Sequence, residues 1–147
     1  SAGSGAALPG RGPEYVLALS WQPAFCQMRR GKSECRNQHP QRFDAFHFSL
    51  HGLWPQPRSN VYCGVSAHQR NRSWRSIPAL ELSKQTRSEL DRAMPGTASY
   101  LQRHQWLKHG TCYGKPVEPY FLDAMALMKQ VNQSAIQKLF ADNIGSR

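Results

Sequence analysis

The chain has 147 residues, the size of one ordinary domain, and its 39% hydrophobic and 10% aromatic content excludes a disordered basic tail. Lys+Arg number 19 against 9 Asp+Glu, a formal net charge of +10 with six histidines besides, which favours a polyanionic partner such as RNA, DNA or an anionic membrane surface. No apolar stretch approaches the roughly 18 residues a bilayer span needs, so no membrane span is expected.

Residues 1–13 are rich in Gly, Ala, Ser and Pro and form an N-terminal lead-in to a single domain over 14–147. They lack a charged-then-apolar leader, so any secretion signal has already been removed. Tyr15-Val16-Leu17-Ala18-Leu19 is a short continuous apolar run and predicts a buried strand. Alternation predicts a second strand over 43–50. Phe46, Phe48 and Leu50 face the core, His47 and Ser49 face the open side, and His51 stands at the strand end before Gly52 and Pro55. Residues 54–79 show no sustained periodicity and read as a long loop.

Ser83 is a good N-cap for a helix to about Ala93, closed by Pro95-Gly96. A second helix is expected from about Ala98 to Lys108, stopping near Gly110. A third begins near Glu118-Pro119 with Phe121, Ala124, Met125, Met128 and Val131 at core spacing. Ser134 then caps a short last helix with Ile136, Leu139 and Phe140 inward.

Cys26, Cys35, Cys63 and Cys112 form an even set with no CxxC pair, so zinc-ribbon spacing is absent. Of the three possible pairings, the short loop between Cys26 and Cys35 favours that bridge, leaving Cys63 for Cys112. Disulfides imply an oxidising compartment, periplasmic or secreted; four reduced buried thiols are the alternative. The basic residues are scattered, with their densest patches at Arg29-Arg30-Gly31-Lys32 and from Arg70 to Arg75. Asn71-Arg72-Ser73 and Asn132-Gln133-Ser134 fit the N-glycosylation pattern, and no role is assigned to them.

The residues able to carry chemistry concentrate on the second helix. At about 100° per residue, His104, Gln105, Lys108 and His109 share an arc of about 140°, while Trp106 and Leu107 fall outside it and face the core. If that arc lies over the strand carrying His51, three imidazoles meet in one basic site. Two of them supply what phosphodiester cleavage by an internal hydroxyl needs, one taking the 2′-OH proton and the other protonating the leaving 5′-oxygen. Lys108 would neutralise charge on the phosphorus oxygens and Gln105 could donate an amide hydrogen to them. The scheme needs no metal ion and no cofactor. A zinc site from His47, His51 and His104 or His109 is the competing use, without an obvious carboxylate or thiolate to complete it.

His51-Gly52-Leu53-Trp54-Pro55 and Trp106-Leu107-Lys108-His109-Gly110-Thr111-Cys112 resemble the two signature segments of the T2-type ribonucleases. The segment from Tyr15 to Trp21, followed by Phe25-Cys26, is similar to the bacterial periplasmic branch of that family. The resemblance runs from about Tyr15 to the end of the chain. It implies an α+β fold, helices packed on a central antiparallel sheet, with disulfides Cys26–Cys35 and Cys63–Cys112. It also implies His109 as base and His51 as acid, His104 as the phosphate-binding residue, Lys108 as stabiliser of the transition state, and Trp54 with Gln56 as substrate-binding residues. Trp54 on its own reads equally as a half-buried core residue.

Two departures stand out. The second signature normally carries Glu where this chain has Gln105, which keeps hydrogen-bonding reach and loses the charge, so weakened activity is expected. Family members also continue past the point where this chain stops. A natural short form, a fragment, or one piece of a nicked protein remain open, with a missing C-terminal segment or second chain as the partner that would complete the core.

The resemblance thus implies an endoribonuclease of low base specificity that acts on single-stranded RNA and does not cut DNA. The alternatives are a catalytically weakened RNA-binding protein, a basic protein on anionic envelope surfaces, and a binder of heparin-like glycans.

Overall fold

A computed structural model describes residues 14–21, 31–32 and 47–145, of which 137 and 139–145 as backbone only. It is α+β: two antiparallel strands, β1 (Tyr15–Trp21) and β2 (Phe48–Pro55), are covered by helices. The helices are α1 (Ala67–Arg70), α2 (Lys84–Ala93), α3 (Leu101–Lys108) and α4 (Val117–Gly145). Among the described residues no helix is long and apolar enough to cross a membrane.

β2 differs from the strand expected over 43–50, whose first four residues lie outside the described part. It starts at Phe48 and runs through Gly52 to Pro55. The reason is a β-bulge. The register passes from Leu19 opposite Leu50 to Ala18 opposite Gly52, so His51 is the extra residue and lies inside the strand. Strict alternation would send Leu50 and Leu53, three residues apart, to opposite faces; with the bulge between them both are 1% exposed in the same core. Nor is the other face open, since Ser49 is fully buried. β1 forms where the apolar run predicts it, yet Tyr15, Val16 and Trp21 are exposed, because β1 pairs with β2 alone among the described strands.

The core brings Leu50 and Leu53 together with Leu90, Ala93 and Met94 at the end of α2, Leu101 on α3, and Tyr120, Phe121, Ala124, Met125 and Met128 on α4. Burying each large side chain of that set contributes about 1.5–3 kcal/mol. Two buried polar groups on α4 fasten it to β2. The Tyr120 hydroxyl donates to the Leu53 carbonyl at 2.7 Å. Asn132 accepts from the Phe48 amide (2.8 Å) and donates to the Phe48 carbonyl (3.1 Å), replacing a neighbouring strand at that point.

Three helix expectations need correction. Ser134 caps nothing: α4 is one helix to Gly145, because no Gly or Pro interrupts 120–144. Val131 and Ile136 are exposed on it, and the buried residue of that stretch is Asn132; the side chains of Leu139 and Phe140 lie outside the described part. The helix expected from Ala98 starts at Leu101, after a separate 3₁₀ turn (Pro95–Ser99), because Tyr100 adopts a left-handed φ of 65° that breaks continuity. The long loop expected over 54–79 holds α1, closed by a Ser66–Gln69 capping box, and a 3₁₀ turn at Trp74–Ser76. Both are too short to show periodicity. α2 begins after Ser83 as expected, with the Ser83 hydroxyl accepting from the Thr86 amide.

Candidate active site

The site forms where α3 crosses β2. Gly52 permits the approach: a Cβ built there would stand 2.1 Å from Gln105 Oε1 and 2.5 Å from Trp54 Nε1. The glycine expected to end the strand is thus the place where the helix lies down on it. Gly110 does the same at the end of α3, where a Cβ would meet the Trp106 ring. Trp106 packs on Tyr120 as expected of a core-facing residue.

The loop after β2 is fastened to the C-terminal end of α3. The Tyr62 amide donates to the Lys108 carbonyl at 2.8 Å. Thr111 donates to the Leu107 carbonyl and accepts from the Cys63 amide. The Cys63–Cys112 disulfide, one of the two expected, closes the connection. Cys26 and Cys35 lie outside the described residues.

On this frame, Trp54, Gln105 and His109 touch. The Trp54 indole N–H donates to Gln105 Oε1 at 2.8 Å, and the Trp54 ring stacks on His109 with centroids 5.1 Å apart and planes 23° from parallel. The polar arc lies over the strand, as the two-histidine reading requires, and is buried there: Gln105 is 5% exposed and His109 8%. His109 is also the C-cap of α3, its amide bonded to the Gln105 carbonyl. His51 stands on β2 beside the Gly52–Gln105 contact.

His104 stacks on Trp74, centroids 4.7 Å apart and planes 15° from parallel. Lys108 is half-buried between the two histidines in sequence. The Gln56 side chain folds back to donate to the Trp54 carbonyl at 3.1 Å, so it supports the end of β2.

Electrostatics follow from this packing. Burial, then the nearby Lys108 and His104, lower the His109 pKa to about 4. Its Nδ1 is buried without a hydrogen-bond partner, so an imidazolium there would leave a donor unsatisfied. Burial and then Lys108 lower the pKa of His104 as well. Both rings are therefore neutral at pH 7. Among the described residues no three His, Cys, Asp or Glu side chains are grouped to hold a metal ion.

Trp74 is the site neighbour that the sequence reading passed over. It sits in a segment without periodicity, and its only signal is a tryptophan set between arginines, Arg72 and Arg75.

A family model described as the ribonuclease T2 family matches residues 13–145. The chain is 35% identical to Ribonuclease I of Escherichia coli (strain K12), covering 89% of this chain and 58% of that protein. It is 32% identical to Ribonuclease Rh of Rhizopus niveus (89% and 56%) and 34% identical to a ribonuclease of Aeromonas hydrophila (68% and 37%). The chain thus spans about half the length of the curated relatives it matches. With the family model covering nearly all of it, the chain belongs to the ribonuclease T2 family.

Proposed function

We propose that the chain is an endoribonuclease of low base specificity that cleaves single-stranded RNA by transesterification, without a metal ion. The observation that carries this is the neutral His109, buried against Trp54 at the end of α3 and beside the strand that holds His51. A neutral imidazole is what a general base must be at the start of the reaction.

His109 takes the proton of the ribose 2′-OH, and the 2′-oxygen attacks the adjacent phosphorus. The bond to the 5′-oxygen breaks, and His51 gives that oxygen its proton. The product is a 2′,3′-cyclic phosphate. Water then opens the ring to a 3′-phosphate with the two histidines in exchanged roles. Lys108 meets the charge that builds on the phosphorus oxygens. Gln105 accepts from Trp54 through Oε1, so Nε2 is the donor it offers to the same oxygens. His104 binds phosphate through a ring N–H. Trp54, one face on His109, offers the other to a nucleobase. DNA lacks the 2′-OH nucleophile and is not cut.

Gln105 also favours a second reading, an RNA-binding protein of weakened activity, since the site lacks the carboxylate its relatives' signature carries. The Cys63–Cys112 disulfide supports a periplasmic or secreted location.

Digestion of single-stranded RNA in EDTA from pH 4 to 8, with products read by mass, tests the proposal. Cyclic-phosphate ends from RNA, none from a 2′-deoxy oligonucleotide, and their loss in His109→Ala are expected. RNA bound but not cut would establish the weakened-binder reading. Neither binding nor cutting would overturn both.

A further inference from the structure

The densest basic stretch of the described region lies outside the site described above. Between Asp44 and Glu81 the chain has no acidic residue, against Arg58, Arg70, Arg72 and Arg75. Trp74 stands between the last two, Arg72 and Arg75. It is 38% exposed although one ring face lies on His104, so the opposite face and the edges hold what is exposed.

This arrangement is held in place. The 3₁₀ turn Trp74–Ser76 is closed by the Ser76 amide on the Ser73 carbonyl and by a Ser73–Ser76 hydroxyl pair at 2.8 Å. Arg103 on α3 donates from one nitrogen to the carbonyls of Arg75 (3.0 Å) and Ile77 (2.9 Å), and Ile77 is buried. The turn is thus tied to the helix that carries His104, one residue from it. Arg72 uses one guanidinium nitrogen on the Ser76 carbonyl and is exposed, as is Arg75.

An aromatic face kept open at the end of a stack, with cations on both sides, is what a single-stranded polynucleotide needs for base stacking and phosphate contact. We propose that Trp74, Arg72 and Arg75 form a further nucleotide subsite. A nucleobase stacks on the exposed face of Trp74, the adjoining phosphates meet Arg72 and Arg75, and the stack continues through His104 toward the scissile phosphate. The subsite rests on the ribonuclease reading and deepens it: a substrate reaching Trp74 gains affinity that a dinucleotide does not.

The test uses the 147-residue chain and a 2′-O-methyl RNA hexamer, which binds but has no free 2′-OH to react. Trp74→Ala is expected to weaken hexamer binding by about 5- to 150-fold, the span of base–aromatic stacking, and Trp74→Phe to retain most of it. The ratio of kcat/KM on an RNA hexamer to that on a dinucleotide should fall in Trp74→Ala. Arg72→Gln with Arg75→Gln should lower the slope of log affinity against log salt by about 1.4, two single-strand contacts at about 0.7 each. Thermal melting confirms that the variants are folded. Hexamer affinity unchanged in Trp74→Ala would overturn the subsite, as would equal losses on hexamer and dinucleotide, which would reduce Trp74 to a support for His104. A wild-type chain that neither cuts nor binds RNA would overturn the ribonuclease reading and the subsite with it, whereas failure of the variants alone sinks only the subsite.

Discussion

The sharpest test of the site concerns the His109 imidazole and needs no substrate. Burial against Trp54, with Lys108 beside it, brings its pKa to about 4, against an ordinary 6.5. Between those values the unfolded chain binds a proton that the folded chain refuses, so stability rises with pH across that window. The contribution is fully present above pH 6.5 and is lost as pH falls to about 4. At about 1.36 kcal/mol per unit it amounts to at most about 3 kcal/mol. Titration of the His109 Cε1–H by NMR should show a midpoint near 4. Urea unfolding at pH 4.5 and 7 should show a larger drop for the wild type than for His109→Gln, whose side chain does not titrate. In kinetics, the acid limb of kcat/KM should rise through the same midpoint. A midpoint at or above 6.5, or identical pH dependence in the variant, would refute the account of a ring held neutral by burial.

Gly52→Ala drives a methyl group to within 2.1 Å of Gln105 Oε1 and 2.5 Å of Trp54 Nε1, so those two side chains must shift; a broken Trp54–Gln105 hydrogen bond and a loss of about 1–3 kcal/mol in urea unfolding are expected. Replacing Cys63 and Cys112 by serine opens a loop of 49 residues and should cost about 4 kcal/mol, read from the unfolding midpoint. Gln105→Glu brings a carboxylate to Trp54 and His109, so the His109 midpoint should move up and RNA cleavage should rise by about 10-fold or more; a lower rate would refute the assignment of Gln105 as the weakened element.

Much of the fold was legible because local signals and tertiary packing agree. The Ser83 cap, the apolar spacing of Phe121, Ala124, Met125 and Met128, and the segregation of Trp106 from the polar arc all hold in the structure. Failures fall where one position answers to contacts far along the chain. Gly52 reads as a strand end, yet it is small because Gln105, far along the chain, rests on it. His51 disturbs the alternation because a bulge adds a residue, and alternation alone cannot register an insertion. Asn132 fits a glycosylation pattern and falls on a helix, yet it completes the hydrogen bonding of Phe48 across the fold. The site was legible as a set of residue types on one helix. How deeply Gln105 and His109 are buried on β2, and that His104 meets Trp74, depends on packing no periodicity reports.

The protein is strongly basic while the base in its site is uncharged, and the placement of the acidic groups bears on both. Net charge +10 draws a polyanion toward the surface. Within the site a base must nevertheless be uncharged to accept a proton. Asp123 is held by Lys115 and Tyr113, Glu118 by the Ser83 amide, and Glu89 faces Lys129, so these carboxylates are engaged on α2 and α4. Position 105, which could supply a carboxylate to the histidines, is an amide bonded to Trp54. Burial, the larger cause, and Lys108 both lower the pKa of His104 and His109, and among the described residues no carboxylate acts on either in the opposite direction. The cation that would steady the phosphate therefore also helps burial to keep the base deprotonated. Removing it by Lys108→Ala should raise both histidine midpoints while lowering the rate, a pairing that loss of phosphate contact alone would not produce.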